Sequence, residues 1–239
     1  MKKYIKHIIF VVMAVIITAV SILKVSEVSQ EAISFMPITN KTIVLDAGHG
    51  GIDSGTSSDD KTIFEKDINL AITLKLKELI ESSGALVILT RDDDSSLYEE
   101  SENKTTRQKY NENLKNRKKI VDESNADMFI SIHLNYFTQS KYYGAQTFYP
   151  EGDVDGKALA NCIQDELKRV VDNDNDRVIK PRNDLYLLKD CKIPSALIEC
   201  GFLSNYEEEH RLREPQYQKQ ICCVIASVCS RFYQNNYEI

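Results

Sequence analysis

Histidine is scarce in this sequence, and basic residues are fewer than acidic ones. Only four of its 239 residues are histidine, and four of its lysines (Lys2, Lys3, Lys6 and Lys24) sit in an opening stretch that has no acidic residue at all. Beyond Lys24, 26 basic residues face 36 acidic ones, a net charge of −10. Such a domain is repelled by nucleic acid and by anionic polymers or lipid surfaces, so DNA and RNA are excluded as partners. The six cysteines (Cys162, Cys191, Cys200, Cys222, Cys223 and Cys229) form no CxxC pair and no zinc-ribbon spacing, which excludes a cysteine-built metal site. A domain of this length folds without cross-links, so free buried thiols are expected, with Cys222 and Cys223 on different sides of a helix. No GxxxxGK[ST] occurs, and the one near-match to GxGxxG, starting at Gly48, has Asp53 in its last position, so phosphate-binding loops are set aside.

The one long apolar run, residues 8–23, is uncharged and follows three lysines, the layout of an export signal or membrane anchor. It is shorter than the ~20 residues that span a bilayer comfortably. Its only small-x-small cleavage candidate, Ala19-Val20-Ser21, lies inside the run, so residues 1–24 read as a retained hydrophobic helix and the chain as exported and membrane-attached. Residues 25–41 are polar, lack a period and contain Pro37, the composition of a linker.

From residue 42 to 236, short β-branched runs alternate with longer amphipathic stretches, which predicts a single α/β domain. Strands are expected at 42–46, 86–90, 128–133, 145–149 and 196–200. Ile68, Ala71, Ile72, Leu76, Leu79 and Ile80 line one helical face before Gly84, and further helices are expected at 107–123, 156–171 and 215–233. Residues 92–106 read as a polar surface loop, and 172–176 as a solvated turn, because Arg177 replaces the glycine that a calcium loop requires.

Two of the four histidines end hydrophobic strands. His49 follows the run from Val44 in a glycine-rich turn, and His133 closes Phe129-Ile130-Ser131-Ile132. His7, in the basic opening, and His210, in a charged run, have no such setting. Ligands of open α/β sheets bind beyond the carboxyl ends of the strands, so His49 and His133 converge there if their strands are parallel neighbours. Glu65 at a helix start and Glu199 at a strand end are the available carboxylates. Two histidines, one carboxylate and an open water position make the ligand set of a hydrolytic zinc site.

At these residues the sequence resembles the zinc-dependent N-acetylmuramoyl-L-alanine amidases. The shared motifs are DAGHGGIDSG (46–55), EKDINL (65–70), TR (90–91), SIHLN (131–135) and IECGFLSN (198–205), in family order. GAQTFYP (144–150) and the compact length look most like the sporulation branch, which helps make muramic lactam in spore cortex. The resemblance implies a mixed twisted sheet flanked by helices, with His49, Glu65 and His133 as Zn2+ ligands and Glu199 as catalytic acid/base. It also implies peptidoglycan as substrate and a place outside the cytoplasm, in the cell wall or the forespore intermembrane space. An accessory protein that completes or stabilises the zinc site is compatible with it. Tyr136 stands where many relatives have Ala, which affects the substrate contacts expected nearby. A zinc hydrolase cutting within stem peptides would use the same ligands. A non-catalytic wall-binding protein would need structural zinc, which has four protein ligands rather than three and a free carboxylate.

Overall fold

The computed structural model describes residues 38–99 and 101–233, together with Met13. The apolar run 8–23 lies outside the described residues apart from Met13, and no helix among the described residues is long and apolar enough to cross a membrane. The chain divides into two units, residues 1–37 and 38–239, and the fold below is that of the second.

Six strands form one mixed sheet: β1 (Thr42–Ala47), β2 (Leu86–Leu89), β3 (Met128–Asn135), β4 (Gln146–Pro150), β5 (Lys180–Arg182) and β6 (Ser195–Phe202), in the order β2-β1-β3-β6-β4-β5. The first four in that order run parallel, β4 is antiparallel to β6, and β5 is parallel to β4. The central strands are covered on both faces, which is why they read as nearly unbroken apolar runs. Alternate residues of β1 and β3 serve different cores. Ile43, Leu45, Met128, Ile130 and Ile132 face one, and Val44 and Phe129 face the other.

Three long helices build most of the larger core. On α1 (Glu65–Ser82), Ile68, Ile72, Leu76 and Ile80 recur at the i, i+4 spacing of a single stripe. They meet the sheet together with α3 (Val154–Val170) and α5 (Pro215–Phe232). Ile38, four residues before β1, is fully buried in the same core. The smaller core lies under α2 (Thr106–Glu123), where Val121 packs with Phe148, Leu187, Leu188 and Leu197.

Two elements carry no pattern that predicts them. β5 is three residues long and contains Pro181, and it pairs only at the sheet edge, where a missing N–H is tolerated. The other, α4 (Tyr206–Arg213), has no apolar stripe; Asn205 caps it by accepting from the N–H groups of Glu207 and Glu208, both at 3.1 Å. Its first turn is acidic and its last basic, which matches the helix dipole. The turn 172–176 is also less solvated than its composition suggests. Asn175 is buried and donates to the Ala145 carbonyl at 2.8 Å. All six cysteines are free thiols, with Cys222 buried and its neighbour Cys223 exposed.

Candidate metal centre

β1 and β3 are parallel neighbours, with Ala47 opposite Ile132, so both histidine-bearing strand ends emerge at one edge of the sheet. His49 adopts a left-handed backbone, φ 62°, that non-glycine residues rarely take. Two buried arginines hold that turn by its carbonyls. Arg91 Nε donates to Ala47 O at 2.8 Å and Nη2 to Gly48 O at 3.0 Å. Arg117 Nη1 donates to Ala47 O at 2.7 Å, and its Nη2 donates to His49 O. The polar loop after β2 is stitched to the same turn, with Asp94 Oδ1 accepting from Gly51 N and Ser96 Oγ donating to Gly50 O, each at 2.8 Å.

Glu65, the first residue of α1, is 1% exposed and stands between the two imidazoles. Its Oε1 is 3.2 Å from His49 Nε2 and 3.0 Å from His133 Nδ1. One ligand atom from each of the three residues lies within 4.8 Å of the others. The carboxylate is further oriented by Leu134 N at 3.0 Å and Asn69 Nδ2 at 3.3 Å on Oε1, and by Thr56 N at 2.9 Å on Oε2. On the far side of the His49 ring, Nδ1 is 2.9 Å from Asp53 Oδ2, within ion-pair reach although not aligned as a hydrogen bond.

Glycine is required around these rings. A Cβ on Gly48 would fall 2.4 Å from His133 Cε1, and one on Gly55 would fall 2.6 Å from Glu65 Oε2. The glycines of this stretch make room for the His133 and Glu65 side chains.

The charges follow from the packing. Burial opposes ionisation of Glu65, but the imidazoles of His133 and His49 outweigh it and hold the carboxyl well below the usual range. Burial likewise opposes protonation of His49, yet the carboxylates of Asp53 and Glu65 raise its pKa to about 10. The cluster is thus a concentrated negative field around two imidazoles, into which a divalent cation fits by ligand type and by charge. Asp53 sets a second carboxylate against the outer nitrogen of the His49 ring.

Glu199 lies next to this cluster and not in it. It pairs in register with His133 on the adjacent parallel strand, so both side chains leave the same face of the sheet. Its Oε2 is closed off from solvent and finds no hydrogen-bond partner among the described residues. Burial pushes its pKa up to about 7 against the opposing pull of His133. Of the other histidines, His210 is exposed on α4 beside Glu209, and His7 lies outside the described residues. The arrangement is that expected of a metal-dependent hydrolase on an open α/β sheet.

Residues 43–229 match the family model described as N-acetylmuramoyl-L-alanine amidase. The chain belongs to the N-acetylmuramoyl-L-alanine amidase family and is an enzyme. It is 37% identical to the germination-specific N-acetylmuramoyl-L-alanine amidase of Bacillus subtilis, over 83% of this chain and 82% of that one. Among solved structures it is similar to the CwlD amidase from Clostridioides difficile in complex with the GerS lipoprotein. That match has 67% identity and a TM-score of 0.81, over 82% of this chain and 99% of that one. A second Clostridium difficile amidase structure matches at 30% identity and a TM-score of 0.72, over 83% of this chain and 99% of that one.

Proposed function

We propose that this amidase uses zinc, held by His49, Glu65 and His133, to hydrolyse the amide between the lactyl group of N-acetylmuramic acid and L-Ala, with Glu199 moving the protons. The convergence of three donor atoms within 4.8 Å beside an unpartnered carboxylate carries this reading. When bound, zinc polarises the scissile carbonyl and lowers the pKa of a water toward ~7. Glu199, titrating near neutrality because it is buried, takes a proton from the attacking water and returns one to the departing amine of L-Ala. Asp53 and Glu65 keep the His49 ring in place, and the arginine-held turn keeps its backbone there.

The substrate is peptidoglycan and the setting is spore-cortex maturation, where removal of the stem peptide precedes muramic-lactam formation. The germination-specific Bacillus subtilis relative supports that setting. The enzyme works outside the cytoplasm, tied to the membrane by its N-terminal segment; a mature chain beginning after Ser21 would remove the tether and leave the chemistry standing. An accessory protein belongs to the same reading, since the Clostridioides difficile relative was solved with the GerS lipoprotein. Mass spectrometry of peptidoglycan incubated with the zinc-loaded protein tests the whole. Intact stem peptides and free lactyl groups are the expected products, and cleavage within the stem would point instead to a peptidase.

A further inference from the structure

One row of polar side chains runs across the sheet on the face that carries the centre. His133 on β3 is opposite Glu199 on β6, and Glu199 is opposite Gln146 on β4. The row ends on Arg177. Its Nη1 donates to Gln146 Oε1 at 2.6 Å, its Nε donates to Tyr143 O at 2.8 Å, and its guanidinium carbon lies 4.4 Å from the centre of the Phe202 ring. Phe202 is three residues beyond Glu199 on β6.

Arg177 is half-buried, yet no carboxylate of the described residues lies within ion-pair distance of it. The neighbouring arginines are matched: Arg169 with Glu166, and Arg182 with Asp184 through both oxygens. Burying a guanidinium without an anion is costly, and a planar cation stacked on an aromatic ring with one edge committed to neutral acceptors is arranged to receive one. Burial lowers its pKa, and Glu208, Asp176 and Glu199 offset that from a distance without occupying it.

The spacing fits a particular anion. Adjacent strands are about 4.8 Å apart, so Gln146 lies about 10 Å across the sheet from His133. An extended peptide advances about 3.5 Å per residue. The guanidinium itself lies over Phe202 on β6, one strand nearer to the centre than Gln146. With the scissile amide at the centre and the peptide laid along the row past Glu199, the residue after L-Ala, about 7 Å from that amide, therefore arrives in front of Arg177. We infer that Arg177 is a specificity-determining residue that binds the free α-carboxylate of the acidic residue following L-Ala in the stem peptide. This rests on the amidase reading above and adds to it the side of the centre on which the peptide lies.

The test uses two muropeptides, one with a free α-carboxylate on the residue after L-Ala and one with that group as a carboxamide, and the zinc-loaded full-length protein as parent, Arg177→Ala and Arg177→Lys. The parent should show a KM roughly 10- to 100-fold lower for the free acid, the value of one charge-assisted contact. Arg177→Ala should lose that preference by a rise in KM for the free acid alone, with kcat nearly unchanged, and Arg177→Lys should recover part of it. Each preference is a ratio within one preparation, so partial misfolding does not mimic the result. An equal loss on both substrates, or an unchanged preference in Arg177→Ala, would overturn the proposal. A parent that cuts neither muropeptide at the lactyl–L-Ala bond would overturn the amidase reading and this proposal with it.

Discussion

At Glu65 one carboxylate accepts from two backbone N–H groups and an asparagine while facing two imidazoles. That orientation is built into the start of α1 and the end of β3, so the proposed ligand roles and the proposed proton-transfer role fall on different residues. His49→Ala is expected to lose both zinc and turnover. Glu199→Gln keeps size and hydrogen-bonding capacity but not basicity, so it should retain zinc while turnover falls roughly 10²- to 10⁴-fold. Zinc content measured beside turnover decides both, and a metal-free Glu199→Gln would make Glu199 a ligand instead. His49 and His133 were legible because each closes an apolar strand. Asp53 was not, since its role as a partner to the His49 ring depends on a reversal between Gly50 and Asp53 that brings them together in space. Arg117 was hidden for a different reason. With Asn113 and Val121 it forms the buried i, i+4, i+8 stripe of α2, a helical period written mostly in polar residues.

Between elements, Asp46 and Arg117 form the joint that locks α2 to the sheet. Asp46, at the end of β1, accepts from Arg117 Nη1 at 2.8 Å, from Thr90 Oγ1 at 2.6 Å and from Ser131 Oγ at 2.6 Å, and neither charged partner is more than 1% exposed. Burial raises its pKa, but Arg117, then His133 and the two hydroxyls, bring it below the usual carboxylate value. The stability this contributes is therefore complete above about pH 4, the unfolded value, and lost as pH falls through the lower folded one. Asp46→Asn leaves a buried guanidinium unmatched, so it should cost roughly 3–5 kcal/mol at pH 7. Its stability should also fall less steeply than the parent's below about pH 4. Urea unfolding at both pH values checks this, and parallel pH profiles would contradict it. Apart from α2, the long elements followed from apolar periodicity, whereas β5 and α4 did not: one is held by edge pairing, the other by the Asn205 cap and by buried Glu208, which accepts from Gly144 N at 3.1 Å and Phe202 N at 2.8 Å. The Gly144 bond joins residues far apart in sequence, and the cap and the Phe202 bond, though local, are made by polar groups that write no apolar period. The loop after β2 is the same case, polar in composition but fastened to the His49 turn.

Across the folded unit, the candidate site is confined to the strand ends and the start of α1, while the two hydrophobic cores on either face of the sheet contain none of its residues. The fold class was legible for that reason: the cores write the α/β alternation without interruption from the site. The arginine-held turn has a consequence for the whole chain. The carbonyls of Ala47, Gly48 and His49 are held by arginine donors, so the shape of this turn does not rest on a bound ion, unlike small metal domains whose only organiser is the metal. Chelation should abolish turnover and lower Tm only by the binding free energy of zinc, while far-UV circular dichroism stays native, and restoring zinc should restore activity without refolding. Collapse to an unfolded spectrum on chelation would show that the arginines do not suffice. With zinc held as proposed, a molecule built this way could be emptied and refilled, and the supply of the ion, not the survival of the fold, would become the means of turning it on.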